Sequence, residues 1–297
     1  MAFRAQELRN RGAFIYAITG TVDTSRRIPD PLPDGRCSTF PDETRAGSTG
    51  ITSRRTTHMH SILMILTGAT TWTQKDGTQR PTGFWAEEFV TPHDIFIRAG
   101  ARITLATPAG KRSIVDALSL TPQGNHGDTE KVAELASYLE RFADALRAPL
   151  PTEDVNAADF DAVFVPGGHG PMQDLAVDAG VGRILQAALH NERQVVAAVC
   201  HGQASFLSAG DAQDWAFKGR TMTAFTNDEE TQVGLAANAP WLLEDRLRAA
   251  GALFEAGAPW SSHLVIDGNL VTGQNPASAG AAAEAVLHRL ASLAVCA

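Results

Sequence analysis

The feature that most constrains the fold of this chain is the apolar run at residues 195–199, which ends abruptly at Cys200-His201-Gly202. A continuous run of small and β-branched apolar residues is typical of a strand that is covered on both faces, as in a parallel sheet packed between helices. Gly202 then indicates a sharp turn into the next element. The sequence therefore predicts that Cys200 lies on a strand-to-helix turn, a nucleophile elbow.

A cysteine on such an elbow sits at a helix N-terminus, where free N–H groups and the helix dipole favour the thiolate. The thiolate is the reactive form, so this position suits a nucleophile. A lone cysteine is more often a buried structural residue. The adjacent His201 and the strand-turn-helix pattern favour a chemical role for Cys200.

Strand-like and helix-like segments alternate along the chain from residue 61 onward. Short apolar runs predict strands at residues 62–66, 102–106, 161–165, 195–199 and 221–224, and a hairpin whose strands, 264–266 and 270–272, flank Asp267-Gly268. Helical spacing predicts helices at residues 84–100, 130–147, 181–190, 242–250 and 279–293. Pro92 is expected to break or kink the first helix. This alternation predicts an α/β fold with a mostly parallel sheet, whose ligands bind beyond the carboxyl ends of the strands.

Residues 1–58 differ from the rest of the chain. They contain nine arginines and no lysine, and residues 28–35 are rich in proline, aspartate and glycine, which favour turns. Residues 13–18 could form a strand. We interpret residues 1–58 as a loop-rich extension of unknown role and residues 59–297 as the domain that carries the chemistry.

Composition excludes several classes of protein. The chain has 297 residues, of which 44% are hydrophobic, so it can bury a large core, and its formal net charge of −8 argues against nucleic acid as a partner. Three cysteines, Cys37, Cys200 and Cys296, form no disulfide framework and no zinc-ligand spacing, which favours a reducing compartment. No apolar signal core begins the chain, and the early apolar run at 62–66 is too short to span a membrane. We expect a cytoplasmic protein without a cofactor or metal.

The sequence Gly167-Gly168-His169-Gly170 follows the strand predicted at residues 161–165. Glycines allow the backbone to approach a ligand closely and to point N–H groups at it. Together with the amide that follows the nucleophile, this loop predicts an oxyanion hole or substrate-binding loop. It is not a phosphate-binding P-loop, because no Gly-Lys-Ser/Thr follows.

Four segments together resemble the ThiJ/PfpI superfamily, which has the class I glutamine amidotransferase-like fold. These are residues 160–172, 197–202, 224–230 and 272–278. The resemblance covers about residues 61–293 and is closest to the glyoxalase III-like branch, which includes chaperone-type heat-shock proteins. It implies a flavodoxin-like three-layer sandwich and a homodimer.

The resemblance also implies partners for Cys200. The family's acid beside the nucleophile aligns with Glu88 rather than Glu87, and burial beside a thiolate would raise its pKa. His201 matches a histidine that links the cysteine to a downstream carboxylate, which aligns with Glu230 and less well with Glu229. His201 argues against the oxidative-stress sensor branch, which lacks a histidine there.

The function implied is a glyoxalase III-type enzyme that converts methylglyoxal, a small reactive aldehyde, to lactate without glutathione or metal. A second hypothesis keeps the same cysteine site for protein deglycation, an amidase or peptidase step, or isocyanide hydration. A third hypothesis, from another class, is a stress chaperone or redox sensor.

Other residues carry weaker signals. Gln203 departs from the proline common in the family, and we expect little functional effect. His58 and His60 could bind a metal but are more simply surface residues. Trp85 and Trp260 could wall a pocket or lie in the core. His93 and His126 have no partner at a useful spacing, and Cys37 and Cys296 have no chemical context.

Overall fold

The computed structural model describes residues 59–211 and 214–295. The extension predicted for residues 1–58, the strand considered at residues 13–18 and the domain boundary between them and residue 59 lie outside the described residues. The paragraphs below concern the described part of the chain.

The centre of the fold is a seven-stranded sheet, accompanied by two small two-stranded sheets. The strands are β1 Ser61–Ile65, β2 Thr71–Thr73, β3 Gln79–Pro81, β4 Arg102–Thr107, β5 Leu150–Pro151, β6 Ala162–Val165, β7 Val195–Val199, β8 Thr221–Met222, β9 Leu253–Phe254, β10 Leu264–Asp267 and β11 Leu270–Gly273. The large sheet has the order β10-β11-β7-β6-β1-β4-β5, and within it β10 and β11 pair antiparallel while the other pairs are parallel. The predicted mostly parallel sheet and the hairpin at Asp267-Gly268 are thus confirmed.

Both faces of the large sheet are covered, and β7 shows how the sequence achieves this. Val195, Ala197 and Val199 belong to one hydrophobic cluster, whereas Val196 and Ala198 belong to the other. All five residues are completely buried. Because successive side chains of a strand point to opposite faces, a strand buried on both sides must be apolar at every position. The predicted three-layer α/β architecture follows.

The α-helices are α1 Ala86–Arg98, α2 Thr129–Arg141, α3 Ala143–Arg147, α4 Gly170–Gln173, α5 Ala179–His190, α6 Asn227–Gln232, α7 Leu243–Ala250 and α8 Ala279–Val295. Helices of 3₁₀ type span Pro108–Gly110, Ala117–Leu120, Gln123–Asn125, Thr152–Asp154, Ala157–Asp159, Cys200–Ser208, Ala236–Asn238 and Pro276–Ser278. Within the described ranges no helix combines the length and apolarity needed to cross a bilayer.

Pro92 does not break α1, contrary to one of the two outcomes expected from the sequence. The helix runs without interruption from Ala86 to Arg98. Proline is compatible with helical φ, so the helix loses only the hydrogen bond that an N–H at residue 92 would donate to the Glu88 carbonyl. Burial of Phe89 and Phe96, both completely inaccessible to solvent, offsets this loss.

The single helix predicted at residues 130–147 is wrong, because α2 and α3 are separated at Phe142. Phe142 has φ −108° and ψ 14°, outside the helical region. Its ring lies against His93 and Tyr138, at centroid distances of 4.5 and 4.9 Å. Helical spacing of apolar residues continued across the break, so periodicity could not reveal it.

The remaining boundaries differ little from the predictions. The short strand predicted at residues 221–224 ends earlier, at Met222. Helix α5 begins at Ala179, two residues before the predicted start, because Asp178 caps it by accepting the Val181 N–H at 2.8 Å. The hairpin β2–β3 was not predicted, since its strands of three residues show little alternation.

Candidate active site

The glycine loop and the cysteine predicted from the sequence meet at the carboxyl edge of the sheet. The glycine loop 167–170 follows β6, and Cys200 follows β7, the strand directly beside it in parallel register. Parallel neighbours present their carboxyl ends at the same edge, which is why two segments more than 30 residues apart in sequence form one site.

Cys200 occupies a tight elbow. Its φ is +60°, in the left-handed region that side chains other than glycine rarely adopt. The chain enters a 3₁₀ helix at Cys200 itself rather than at Gly202. Gly202 is needed for close packing, because a Cβ there would lie 2.3 Å from the Val165 carbonyl oxygen. The elbow is therefore held by contact between the ends of β6 and β7.

His201 connects Cys200 to Glu230. The Cys200 Sγ lies 3.3 Å from His201 Nδ1, and His201 Nε2 lies 2.7 Å from Glu230 Oε2. All three side chains are buried. Because Glu230 can only accept when ionised, Nε2 carries the proton of neutral His201 and Nδ1 is free to accept the thiol proton.

Of the two adjacent glutamates, Glu230 reaches the histidine and Glu229 does not. Glu229 forms a capping box with Thr226 at the start of α6. It also accepts hydrogen bonds from the Trp260 backbone N–H at 2.9 Å and from the Asn275 side-chain amide at 2.8 Å. The sequence signal was available, since Thr226 with a glutamate three residues later is a capping-box pattern.

A second pair of glutamates, at the start of α1, divides in the same way. Glu88 is completely buried, and its Oε2 accepts the Gly167 N–H at 2.7 Å. Glu87 pairs with Lys131 of α2 at 2.6 Å. A Cβ on residue 167 would lie 2.7 Å from Glu88 Oε2 and 2.7 Å from the His201 nitrogen, so this position requires glycine.

The electrostatics of Cys200 differ from the sequence expectation. Burial raises the pKa of the Cys200 thiol well above its ordinary value, and the nearby Glu88 carboxyl raises it further, while the Gly168 N–H, which donates to the sulfur, opposes the shift. Burial also raises the pKa of Glu88 to about 8. Desolvation therefore outweighs the elbow's dipole, and both groups hold their protons at neutral pH.

The histidine and its carboxylate have the opposite character. Burial, followed by the neighbouring His169, lowers the pKa of His201, although Glu230 opposes this. Burial alone would raise the pKa of Glu230, but His169 and His201 hold it well below its usual range. At neutral pH the arrangement is a neutral imidazole between a thiol and a carboxylate, which can accept the thiol proton and stabilise the resulting charge.

Three further side chains, those of His169, Trp72 and Phe225, make contacts in the site that were not predicted from the sequence. The His169 ring lies 4.2 Å from His201 and 4.7 Å from Trp72 of β2, and its Nε2 lies 2.9 Å from Glu230 Oε1. Phe225 packs against the His201 ring, at a centroid distance of 4.4 Å. Trp72 belongs to a segment without a catalytic motif, and Phe225 lies in the motif segment 224–230 but was not singled out, so only the folded chain identifies their roles.

Gln203 has a clear structural role. It is completely buried, and its Nε2 lies within 3.1 Å of three carbonyl oxygens, those of Ala198, Thr223 and Gly273. These carbonyls belong to β7, the segment after β8 and β11. Gln203 therefore links the three segments behind the elbow. A proline at this position has no side-chain donor and could not form these hydrogen bonds.

The other residues named from the sequence fall in several places. Trp260 packs edge-on against Phe225 at 5.6 Å and has φ +63°. Trp85 precedes α1, and its backbone N–H donates to the Gly167 carbonyl at 3.1 Å. His93 bonds to the Tyr138 hydroxyl at 2.9 Å, away from the site. His60 lies 3.6 Å from Asp161, and His126 occupies a left-handed turn. His58, Cys37 and Cys296 lie outside the described residues.

Three side chains of the site could in principle bind a cation. The nitrogen and oxygen atoms that His169, His201 and Glu230 offer lie within 4.8 Å of one another. The same atoms form the two histidine–carboxylate hydrogen bonds, at 2.9 and 2.7 Å. In this structure the three side chains form a hydrogen-bonded group.

The fold and the site define an α/β protein with a buried cysteine elbow beside a glycine loop. A profile of the DJ-1/PfpI family matches residues 81–289, which is more than half of the chain. The chain therefore belongs to the DJ-1/PfpI family. This confirms the resemblance inferred from the sequence, together with the flavodoxin-like fold that it implied.

Similar proteins include two named as glyoxalases. Glyoxalase 3 of Candida albicans is 28% identical over 77% of this chain and 98% of its own length. Glutathione-independent glyoxalase HSP31 of Saccharomyces cerevisiae is 30% identical over 73% of this chain and 92% of its own length. The crystal structure of glyoxalase III from Candida albicans superimposes with a TM-score of 0.63, covering 78% of this chain and 98% of that chain at 28% identity.

Proposed function

We propose that this chain is a glyoxalase III-type enzyme, which converts methylglyoxal to lactate without glutathione or metal and uses Cys200 as its nucleophile. The proposal rests on one observation, a hydrogen-bonded chain of three side chains. Cys200 Sγ lies 3.3 Å from His201 Nδ1, and His201 Nε2 lies 2.7 Å from Glu230 Oε2. The buried Glu88 beside it supplies a second proton carrier. The glyoxalase names of relatives that align with most of the chain support the same activity.

The first step forms a hemithioacetal. Cys200 Sγ bonds to the aldehyde carbon while the thiol proton passes to His201 Nδ1. The carbonyl electron pair moves to the aldehyde oxygen, which takes the proton of Glu88. The backbone N–H groups of Gly168 and His201 are the donors that we assign to the developing oxyanion.

The second step moves hydrogen between the two carbons. Glu88, now a carboxylate, removes the hydrogen of the former aldehyde carbon, and the ketone oxygen takes the proton from His201 to give an enediol. Glu88 then protonates the second carbon while His201 takes the proton of the first hydroxyl, which leaves a thioester. One carbon is oxidised as the other is reduced, so the reaction needs no external oxidant.

The last step is hydrolysis of the thioester. Water adds to the thioester carbon and gives a proton to Glu88, the carbon–sulfur bond breaks, and the leaving sulfur takes the proton of His201. Lactic acid is released and all three side chains return to their starting states. A carboxyl group whose pKa is raised to about 8 suits this role, because it is protonated at neutral pH and can both give and accept a proton.

The proposal is tested by methylglyoxal turnover without glutathione, with lactate as the measured product. We expect kcat/KM of at least roughly 10⁴ M⁻¹s⁻¹ for the wild-type chain, and loss of activity to background for Cys200→Ala. The variants Cys37→Ala and Cys296→Ala are controls for removal of a thiol and should keep full activity. Undiminished turnover by Cys200→Ala overturns the assignment of Cys200 as the nucleophile. A wild-type kcat/KM far below this range overturns the assignment of methylglyoxal as the substrate.

A further inference from the structure

The carboxylate of Glu230 has two histidine partners, one for each oxygen. Oε2 lies 2.7 Å from Nε2 of His201, and Oε1 lies 2.9 Å from Nε2 of His169. All three residues are buried. Two hydrogen bonds from different directions fix the plane of a carboxylate, whereas one would leave the group free to rotate about its terminal bond.

The His169 ring is itself held in place. Trp72 stacks on it with an interplanar angle of 28° and a centroid distance of 4.7 Å, while His201 lies 4.2 Å away. Backbone geometry adds to this, because His169 lies in the glycine loop directly before α4. The ring therefore presents Nε2 to Glu230 from a rigid surrounding, and ionised Glu230 requires that this nitrogen carry the proton.

We propose that His169 is a positioning residue for the reaction: it holds Glu230 in the orientation that keeps His201 Nδ1 facing the Cys200 sulfur. The expected effect on turnover rests on the proposed function. The expected effect on proton transfer from the Cys200 thiol does not. His169 acts through Glu230 and needs no contact with the substrate.

The choice of tautomer of His201 explains why this orientation matters. With Glu230 accepting from Nε2, neutral His201 has its lone pair on Nδ1, 3.3 Å from Sγ. If Glu230 turns away, the other tautomer becomes competitive, and Nδ1 then carries a proton and cannot accept one from the thiol. Besides His169 and Glu230, the charged group that acts on His201 is Glu229, whose carboxylate oxygens bond to Thr226, Trp260 and Asn275 rather than to Nε2.

The test compares His169→Ala with the conservative variant His169→Gln, whose side-chain N–H can still donate to Glu230. We expect His169→Ala to lower kcat about 10-fold or more with KM changed less than about 2-fold, as for partners that orient a functional histidine. His169→Gln should recover most of this loss. In a Glu230→Gln background the His169→Ala change should add less than about 2-fold, because both residues act as one unit.

A second readout separates this proposal from the proposed function. Alkylation of Cys200 by iodoacetamide, measured as a rate at constant pH, requires transfer of the thiol proton but no glyoxalase activity. We expect the rate to fall in His169→Ala and to recover in His169→Gln. If the wild-type chain does not turn over methylglyoxal, the proposed function fails, and the order of alkylation rates still decides the role of His169.

Folding is controlled with a matched variant. His93→Gln removes another buried histidine with one side-chain hydrogen bond, to Tyr138, away from the site, and it should leave both readouts unchanged. The proposal is overturned if His169→Ala alkylates and turns over like the wild type. It is also overturned if His169→Gln is as impaired as His169→Ala, or if the His169→Ala loss persists in full without Glu230.

Discussion

At the scale of single residues, the Glu88 carboxyl is completely buried, and among the described residues it pairs with no cation. Glu88 receives the Gly167 N–H at 2.7 Å, yet burial still raises its pKa to about 8. Glu87, one position earlier, pairs with Lys131 at 2.6 Å near the surface. The same residue type thus lies in two different environments, one buried and one at the surface, because adjacent helical positions point in different directions.

The Glu88 shift has a consequence for stability. Between about pH 4.5, its ordinary value, and about pH 8, the folded chain keeps a proton that the unfolded chain releases. The free energy of unfolding should therefore fall as pH rises through this window, by up to about 1.4 kcal/mol per pH unit from this one group. Glu88→Gln should remove that slope, and urea unfolding at a series of pH values measures it.

The matched control for this experiment is Glu87→Gln, which removes a paired, partly exposed carboxylate one residue away. Its pH slope should equal that of the wild-type chain. Equal slopes for Glu88→Gln and the wild type would show that Glu88 is ionised in the folded state throughout the window.

At the scale of elements, α6 is a short helix with two functions. Its first turn carries Glu229, which caps the helix and bonds to Trp260 and Asn275, and Glu230, which bonds to both histidines. The capping bonds determine where the helix begins and therefore the direction in which Glu230 points. Gln203 likewise fixes the position of neighbouring segments, because it links three of them behind the elbow through their carbonyls.

Removing the cap should therefore affect both stability and catalysis. Glu229→Ala leaves the Trp260 backbone N–H without its acceptor and removes one of the two acceptors of the Asn275 side-chain amide, the other being the Ser261 carbonyl. We expect a loss of about 2–3 kcal/mol in the free energy of unfolding. Turnover should fall as well, since Glu230 is displaced. Chemical denaturation and kcat/KM measure the two effects.

Asp228→Ala offers a control in the same helical turn, because Asp228 is exposed and carries the same charge. It should change the free energy of unfolding by less than about 0.5 kcal/mol. If Glu229→Ala behaves like Asp228→Ala, the cap does not position Glu230.

At the scale of the whole molecule, the site is assembled from elements that are far apart in the chain. Glu88 comes from α1, His169 from the loop after β6, Cys200 from the elbow after β7 and Glu230 from α6. The parallel sheet brings them together by placing its carboxyl ends at one edge. The hydrophobic clusters on its two faces hold that arrangement rigid.

The pH dependence of turnover reports this assembly. His201 must be neutral to accept the thiol proton, and its pKa is lowered from 6.5, so activity should be retained down to a limb below pH 6.5. Glu88 must be protonated, so kcat/KM should decline above about pH 8. His93→Gln should leave both limbs in place. An acid limb at or above pH 6.5, or activity that still rises beyond pH 9, contradicts the proposed protonation states.

Much of the fold and the motif positions could be predicted because they depend on local patterns. Apolar runs marked the strands of the large sheet except the two-residue edge strand β5, and Gly202 after Cys200-His201 marked the elbow. Local patterns were insufficient where packing decides, as at Phe142, where helical spacing continues but the backbone leaves the helix. The protonation of Cys200 also depended on burial, which opposes the effect of the elbow alone.

The sequence by itself determined the α/β alternation, the cysteine elbow and the glycine loop, because each depends on residues close together in the chain. The resemblance had implied the pairing of Glu230 with His201, but only the tertiary structure decided that Glu230 also bonds to His169, 61 residues away. It also decided that Trp72 holds the His169 ring. Such contacts depend on how distant elements pack, and the free energy that selects them comes from burial of the whole core rather than from any local pattern.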